Sequence, residues 1–301
     1  MMNARNSSKI IFSTDEGRYM KRILTGAGVI AGTYLFLIMP SLRRHRYTEK
    51  MKQYRYAHRG LYDNQNGIPE NSLKAFERAV NKGYGIELDV QLSKDGIPFI
   101  MHDFTLNRTA RDSEGNAVSG KGYEYTFAEL RAFHLFDTEE KIPSFQEVLD
   151  LVKGRVPLIM ELKIENADLK MPVCAEAVKL LDAYDGLYCV ESFNPLGVLW
   201  FRTHRPDVMR GQLSDCYART IKKEEQFPLI HRPAEYLAGN FLTKPDFVAY
   251  NVKYERNLSR RLCRSLFKNT AVCWTVQTPE EMKEAQKHFD IVIFEGFEPG
   301  N

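Results

Sequence analysis

His58 and Arg59 stand together in the run Ala57-His58-Arg59-Gly60. A histidine titrates near neutral pH and can pass a proton either way. An arginine offers a planar fork that grips phosphate or carboxylate through two bonds at once. A lone His-Arg pair is also common surface decoration. Glu87 and Asp89 are two apart in Ile86-Glu87-Leu88-Asp89-Val90. On a strand, that spacing puts both carboxylates on one face and Leu88 and Val90 on the other. Two acids aimed into a protein interior are costly unless paired or metal-bound. All-oxygen ligands suit Mg2+ or Ca2+, and an ordinary salt-bridge pair is the simpler alternative. In Leu158-Ile159-Met160-Glu161-Leu162-Lys163, Glu161 and Lys163 share a face. Glu161 can be a third carboxylate ligand, and Lys163 can neutralise a phosphate oxygen. Pro69-Glu70-Asn71-Ser72 reads first as a helix entry, with any ligand role for Glu70 or Asn71 secondary. Glu191-Ser192-Phe193-Asn194 and Cys273-Trp274-Thr275 end two further apolar runs. Trp274 is either an apolar wall for a substrate or a core residue.

These residues need a frame. From Tyr54 onward, short apolar runs alternate with helical patterns. Strands are expected over residues 55–58, 85–92, 98–102, 156–163, 187–193, 208–213, 247–250, 271–276 and 291–294. Helices are expected over 72–82, 144–153, 169–183, 195–203, 258–267 and 279–288. Nine strands are one too many for a (β/α)8 TIM barrel. Only Ser93 to Ile97 separate the second run from the third. A parallel crossover needs a dozen or more residues, whereas a hairpin needs two to five. Residues 98–102 therefore fold back antiparallel on 85–92. That hairpin returns His102 roughly opposite position 88, beside Glu87 and Asp89. Residues 104–142 read as an insertion after the second strand, and 214–246 as a second long connection. The polar residues then gather at the C-terminal ends of the strands, where barrel active sites lie. Two histidines, three carboxylates, one arginine and one lysine suit metal-assisted phosphoryl chemistry with a general acid and a general base.

The 301 residues are 44% hydrophobic and 27% charged, which excludes wholesale disorder. Lys+Arg of 42 against Asp+Glu of 39 leaves +3, so no nucleic-acid partner is indicated. Mean hydropathy of −0.39 excludes a polytopic membrane protein. Five cysteines without CxxC spacing argue against a disulfide framework or structural zinc. Residues 1–22 are polar. Residues 23–42, ILTGAGVIAGTYLFLIMPSL, carry no charge and are long enough to be a transmembrane anchor. A basic juxtamembrane linker, 43–53, follows, and 54–301 form the catalytic domain. The heavier basic flank lies after the span. A single-pass cell-membrane protein with its barrel on the cytoplasmic side is therefore expected.

With these segments in order, the chain resembles the glycerophosphodiester phosphodiesterases, which have a phospholipase C-like barrel. The resemblance rests on His58-Arg59-Gly60, Pro69-Glu70-Asn71-Ser72, Glu87-Leu88-Asp89-Val90, Lys94-Asp95-Gly96, Pro98 and His102-Asp103. Leu106, Arg108, Thr109, Glu161-Leu162-Lys163, Glu191-Ser192-Phe193 and Trp274-Thr275-Val276 continue it. It covers about residues 54 to 297. It implies hydrolysis of a water-soluble or lipid-derived glycerophosphodiester to glycerol 3-phosphate and an alcohol. It implies His58 and His102 as the acid–base pair. Glu87, Asp89 and Glu161 would hold one divalent cation, Ca2+ or Mg2+. Arg59 and Lys163 would contact phosphate, with Glu70, Asn71, Glu191 and Trp274 completing the substrate site. Two departures stand out. The last strand reads Ile293-Phe294-Glu295-Gly296 where the family has a small polar-acidic pair, and Ser72 replaces a frequent Thr. Phe294 is expected to alter the barrel floor or an outer substrate contact. Two alternatives remain: a lyase that stops at a cyclic phosphate, and a non-catalytic membrane-tethered ligand sensor.

Overall fold

The computed structural model describes residues 14–165, 169–220 and 231–300. The strands are β1 (Tyr56–Ala57), β2 (Gly85–Leu92), β3 (Pro98–Ile100), β4 (Ala110–Arg111), β5 (His134–Leu135), β6 (Leu158–Leu162), β7 (Tyr188–Ser192), β8 (Arg210–Ser214), β9 (Phe247–Asn251), β10 (Thr270–Val276) and β11 (Ile291–Phe294). Parallel pairing runs β1–β2–β6–β7–β8–β9–β10–β11 and returns to β1, closing an eight-stranded barrel. The α/β TIM-barrel reading holds. β3 pairs antiparallel with β2, Val90 opposite Ile100 and Leu92 opposite Pro98. The same register puts position 102 opposite 88, as the five-residue connection implied.

Before the barrel lie α1 (Thr14–Leu37) and α2 (Thr48–Met51). Around it follow α3 (Leu73–Lys82), α4 (Phe127–Ala132), α5 (Phe145–Val152), α6 (Pro172–Leu181), α7 (Pro195–His204), α8 (Tyr217–Thr220), α9 (His231–Glu235), α10 (Asn240–Thr243), α11 (Leu258–Ser265) and α12 (Pro279–His288). Local chemistry starts them. Ser72 caps α3 by accepting from the Ala75 amide at 3.1 Å. Ser144 and Glu147 form a reciprocal capping box on α5. Proline opens α6, α7 and α12, where its missing N–H costs nothing. The insertion holds α4, β4 and β5 over its own small core of Leu106, Leu130, Leu135 and Ile142, packed on Phe99 of β3.

Period-two alternation divides the barrel interior into layers. Ile159, Cys189 and Val272 are buried within it, and two residues further along each strand come Glu161, Glu191 and Trp274. Tyr56, Phe247 and Ile291 fill the lower layer above Met51 of α2. Gly85 and Gly211 are needed there, since a Cβ would lie 2.6 Å from the Tyr56 ring and 2.0 Å from the Phe247 ring. The barrel is thus sealed below and polar above. The stretch expected as a juxtamembrane linker forms part of this seal: the Tyr56 hydroxyl donates to the Met51 carbonyl at 2.9 Å.

The N-terminal expectation is corrected. No helix among the described residues is long and apolar enough to cross a membrane. α1 ends at Leu37, not at 42, and its foot is fixed to the barrel. The Tyr34 hydroxyl lies 2.7 Å from Ser259 Oγ, and Asn240 Nδ2 donates to the Ile38 carbonyl at 3.1 Å. The Ser41 amide donates to the Pro245 carbonyl at 3.0 Å. Ile38 and Ser41 are spent on these contacts. Thr25, Gly26, Gly28, Gly32 and Thr33 dilute the apolar stretch that remains.

Candidate active site

A cavity of about 320 Å3 opens at the C-terminal ends of the strands. His58, Arg59, Glu87, His102, Glu161, Glu191 and Trp274 line it, together with Tyr62, Phe193 and Glu295. Seven residues singled out in the sequence therefore meet at one opening. Asp89 and Lys163 lie just beneath, in contact with that lining. Glu70 and Asn71 stand behind it, bonded to Arg59 and Asp89.

The acidic centre follows from strand register. Asp89 of β2 lies opposite Glu161 of β6, and Glu87 is two residues back on the same face. Glu87, Asp89 and Glu161 are buried, and one oxygen from each lies within 4.8 Å of the others. Lys163 Nζ reaches Asp89 at 3.0 Å and Glu161 at 2.8 Å. Asn71 Nδ2 donates to Asp89 at 2.9 Å, and Arg59 Nε lies 3.6 Å from it. Electrostatics separates the acids. Burial pushes Glu87 well up, and Asp89, Glu161 and Glu191 add to the shift. Burial likewise raises Glu161 and Glu191. For Asp89, burial is overcome by Lys163, then by His102, Arg59 and Asn71, which hold it below the usual carboxylate range. Four buried carboxylates crowd here, and of the two cations nearby, Arg59 is already bonded to the buried Glu70 at 2.7 Å. One divalent cation would offset the excess of negative charge. The all-oxygen donor set suits a hard ion such as Ca2+ or Mg2+, so the residues present fit that group.

The loop after β1 supplies Arg59. Its backbone is left-handed (φ 55°), an uncommon conformation for a side chain of this size, and Asn71 shares it (φ 57°). The two are tied by the Asn71 amide donating to the Arg59 carbonyl at 2.9 Å. This turn also points the Arg59 amide at Glu87, 3.1 Å away. Strain held by surrounding bonds is usual at functional sites.

Each histidine has a carboxylate at Nδ1. His58 Nδ1 lies 2.5 Å from Glu295, and His102 Nδ1 lies 2.6 Å from Asp103. His58 Nε2 faces Glu87 at 3.9 Å. Burial lowers the His58 pKa, partly offset by its bond to Glu295. Glu295 also accepts from the Tyr62 hydroxyl at 3.0 Å and from Gln277 at 2.7 Å. The sequence reading noted Glu295 only as part of a family departure. The available signal was strand alternation, which turns Phe294 outward and Glu295 toward the cavity. Phe294 packs edge-on against Tyr84 in the outer layer, 5.0 Å between ring centres. The expected change at the barrel floor is therefore absent.

Glu295 carries a pH prediction. Burial opposes its charge, but the His58 bond prevails and draws its pKa down to about 2. Its unfolded value is about 4.3. A depressed carboxylate stabilises the fold above the unfolded value and loses that contribution as pH falls toward the folded one. Glu295→Gln is expected to flatten the fall in melting temperature between about pH 4.5 and 2. Superimposable wild-type and variant profiles would remove that contribution.

Comparison with known proteins agrees with this geometry. Residues 58–289 match the model of the glycerophosphoryl diester phosphodiesterase family. A glycerophosphodiester phosphodiesterase of Bacillus altitudinis is 40% identical over 192 residues, which is 58% of this chain and 75% of that protein. Glycerophosphodiester phosphodiesterase 1 of Mus musculus is 33% identical over 267 residues, 77% of this chain and 74% of that protein. The fold is shared with an Oleispira antarctica phosphodiesterase solved with the product sn-glycerol-3-phosphate, at a TM-score of 0.61 and 22% identity, covering 80% of this chain and 92% of that one. With the family model matching more than half of the chain, from His58 through most of the barrel, the chain belongs to the glycerophosphoryl diester phosphodiesterase family and is a phosphoric diester hydrolase.

Proposed function

We propose that the protein hydrolyses glycerophosphodiesters to glycerol 3-phosphate and an alcohol, with His58 and His102 as the proton-transfer pair. Glu87, Asp89 and Glu161 are the residues that would hold one divalent cation, Ca2+ or Mg2+. The observation that carries this reading is two carboxylate-braced histidines lining one cavity with that acidic cluster. A carboxylate at Nδ1 fixes the proton there and leaves Nε2 to exchange with substrate. One histidine takes the proton of the glycerol hydroxyl that attacks phosphorus while the other gives one to the leaving alkoxide; with the roles reversed, the pair then takes a proton from water as it opens the cyclic phosphate and returns one to the ring oxygen, which leaves glycerol 3-phosphate. When bound, the cation supplies Lewis acidity at a phosphoryl oxygen and helps orient the glycerol hydroxyl. Arg59, whose Nε makes no hydrogen bond, and Lys163 offset phosphate charge. Glu191 Oε2 and Trp274 Nε1 are buried and also lack partners. An unpaired buried polar atom is costly, and glycerol hydroxyls entering the cavity would satisfy both. Product identity tests the reading on glycerophosphocholine, glycerophosphoethanolamine and a lysophospholipid. Glycerol 3-phosphate, or its acylated form from the lysophospholipid, supports hydrolysis, whereas a cyclic phosphate as sole product would establish the lyase alternative.

We further propose that α1 attaches the barrel to an anionic membrane surface. Ile23, Leu24, Val29 and Ile30 are exposed on it, with Arg18, Lys21 and Arg22 at one end and Arg43, Arg44 and Arg46 after the other. Basic clusters of this kind are drawn to an anionic lipid surface, and the exposed apolar side chains add contact with it. The full chain should sediment with phosphatidylglycerol vesicles, and a variant lacking residues 1–33 should not. Equal binding of the two would refute the attachment.

A further inference from the structure

Arg108 lies outside the cavity lining, yet its guanidinium joins two carboxylates that serve opposite sides of the site. Nε donates to Asp103 Oδ2 at 2.6 Å and Nη2 to Asp103 Oδ1 at 3.1 Å. Nη1 donates to Glu70 Oε2 at 2.9 Å and Nη2 to Glu70 Oε1 at 2.7 Å. Beyond Asp103 is His102 Nδ1, and beyond Glu70 is Arg59 Nη1, 2.7 Å away. The bonds form one chain: His102, Asp103, Arg108, Glu70, Arg59. Glu70 is 5% exposed and both its oxygens are engaged by the two arginines. Three bonds from the two guanidinium groups hold it in place between them.

We propose that Arg108 is a positioning residue that locks the His102 side and the Arg59 side of the site into one frame. It acts through Asp103 and Glu70 without touching substrate, and the inference rests on the acid–base role of His102 argued above. The planar fork is what the task needs. Two edges of one guanidinium face two carboxylates in fixed directions, whereas a lysine ammonium is a compact point charge on a flexible stem. Without the fork, Asp103 keeps His102 but can swing with it, and Glu70 keeps Arg59 but loses its second brace. The distance between the proton-transfer nitrogen and the phosphate fork is then no longer fixed, and small misplacements of reacting groups are expensive.

The test compares Arg108→Lys and Arg108→Ala with wild type under saturating metal. Both are expected to lose at least about tenfold in kcat, while KM moves by less than about threefold, because the cavity lining is untouched. Added guanidinium ion should restore part of the Arg108→Ala rate, and an equal concentration of methylammonium should not. If Arg108→Ala does not fold, Arg108→Lys decides alone, with its melting temperature as the control. Wild-type kcat in a folded Arg108→Lys variant would overturn the proposal. So would a loss confined to KM, or equal rescue by both cations. His102→Ala measured alongside separates the two levels: an inactive His102→Ala with a fully active Arg108→Lys refutes only the frame, whereas an active His102→Ala refutes the acid–base reading beneath it.

Discussion

His58→Ala and His102→Ala are each expected to lower kcat by about 10²–10⁴-fold, the range that a positioned proton donor or acceptor supplies. Folding should survive both changes. Removing His58 leaves Glu295 with Tyr62 and Gln277 as donors, so no buried carboxylate is orphaned. Removing His102 leaves Asp103 bonded to Arg108. The loss therefore belongs to the chemical step. Rates with saturating substrate and metal, checked against circular dichroism melts, give the answer. Either variant within about tenfold of wild type would take that residue out of the proton-transfer pair.

Glu87→Gln should give a different signature, in which metal response and intrinsic stability move in opposite directions. Glu87 is buried, and burial together with three neighbouring acids holds its pKa well above normal. A carboxyl whose folded pKa is raised destabilises the fold at pH values above its unfolded pKa of about 4.3. Replacing it by a neutral amide removes that cost. Without metal, the variant should melt no lower than wild type. Its rise in melting temperature on adding Mg2+ or Ca2+ should shrink, because each tenfold loss of affinity removes about 1.4 kcal/mol of ligand-linked stability at saturating ion. Asp89→Asn should behave oppositely without metal, since Lys163, Arg59 and Asn71 all lean on that carboxylate. A Glu87→Gln variant with an undiminished metal-induced shift would exclude Glu87 as a ligand.

The barrel was legible because each strand is a short apolar run and each connection has a length that permits only some pairings. Residues 93–97 are the clearest instance. Five residues cannot make a parallel crossover, so a hairpin was required, and its register placed His102 beside β2. Glu87, Asp89 and Glu161 were legible for the related reason that period-two alternation on adjacent parallel strands stacks their side chains. The brace on His58 was not. Glu295 lies 237 residues from its partner and depends on barrel closure between the first and last strands. Glu70 and Arg108 are 38 residues apart, across a hairpin and part of an insertion. Sequence spacing carries no information about such pairs until the chain is closed. The reading of 23–42 erred for another reason. An uncharged run shows what a segment lacks, but not which of its residues the barrel will engage. Ile38 is fully buried against Asn240 and Cys263, and the helix had already ended at Leu37.

The most direct test removes the cation and returns it. The full chain is stripped with chelator, dialysed, and given glycerophosphocholine while Mg2+ or Ca2+ is titrated back and glycerol 3-phosphate is measured. Background release from the stripped protein, restored by one of the two ions and not restored in Glu161→Gln, is the expected result. Full glycerol 3-phosphate release from stripped protein, unchanged by either ion, would contradict a metal centre at Glu87, Asp89 and Glu161.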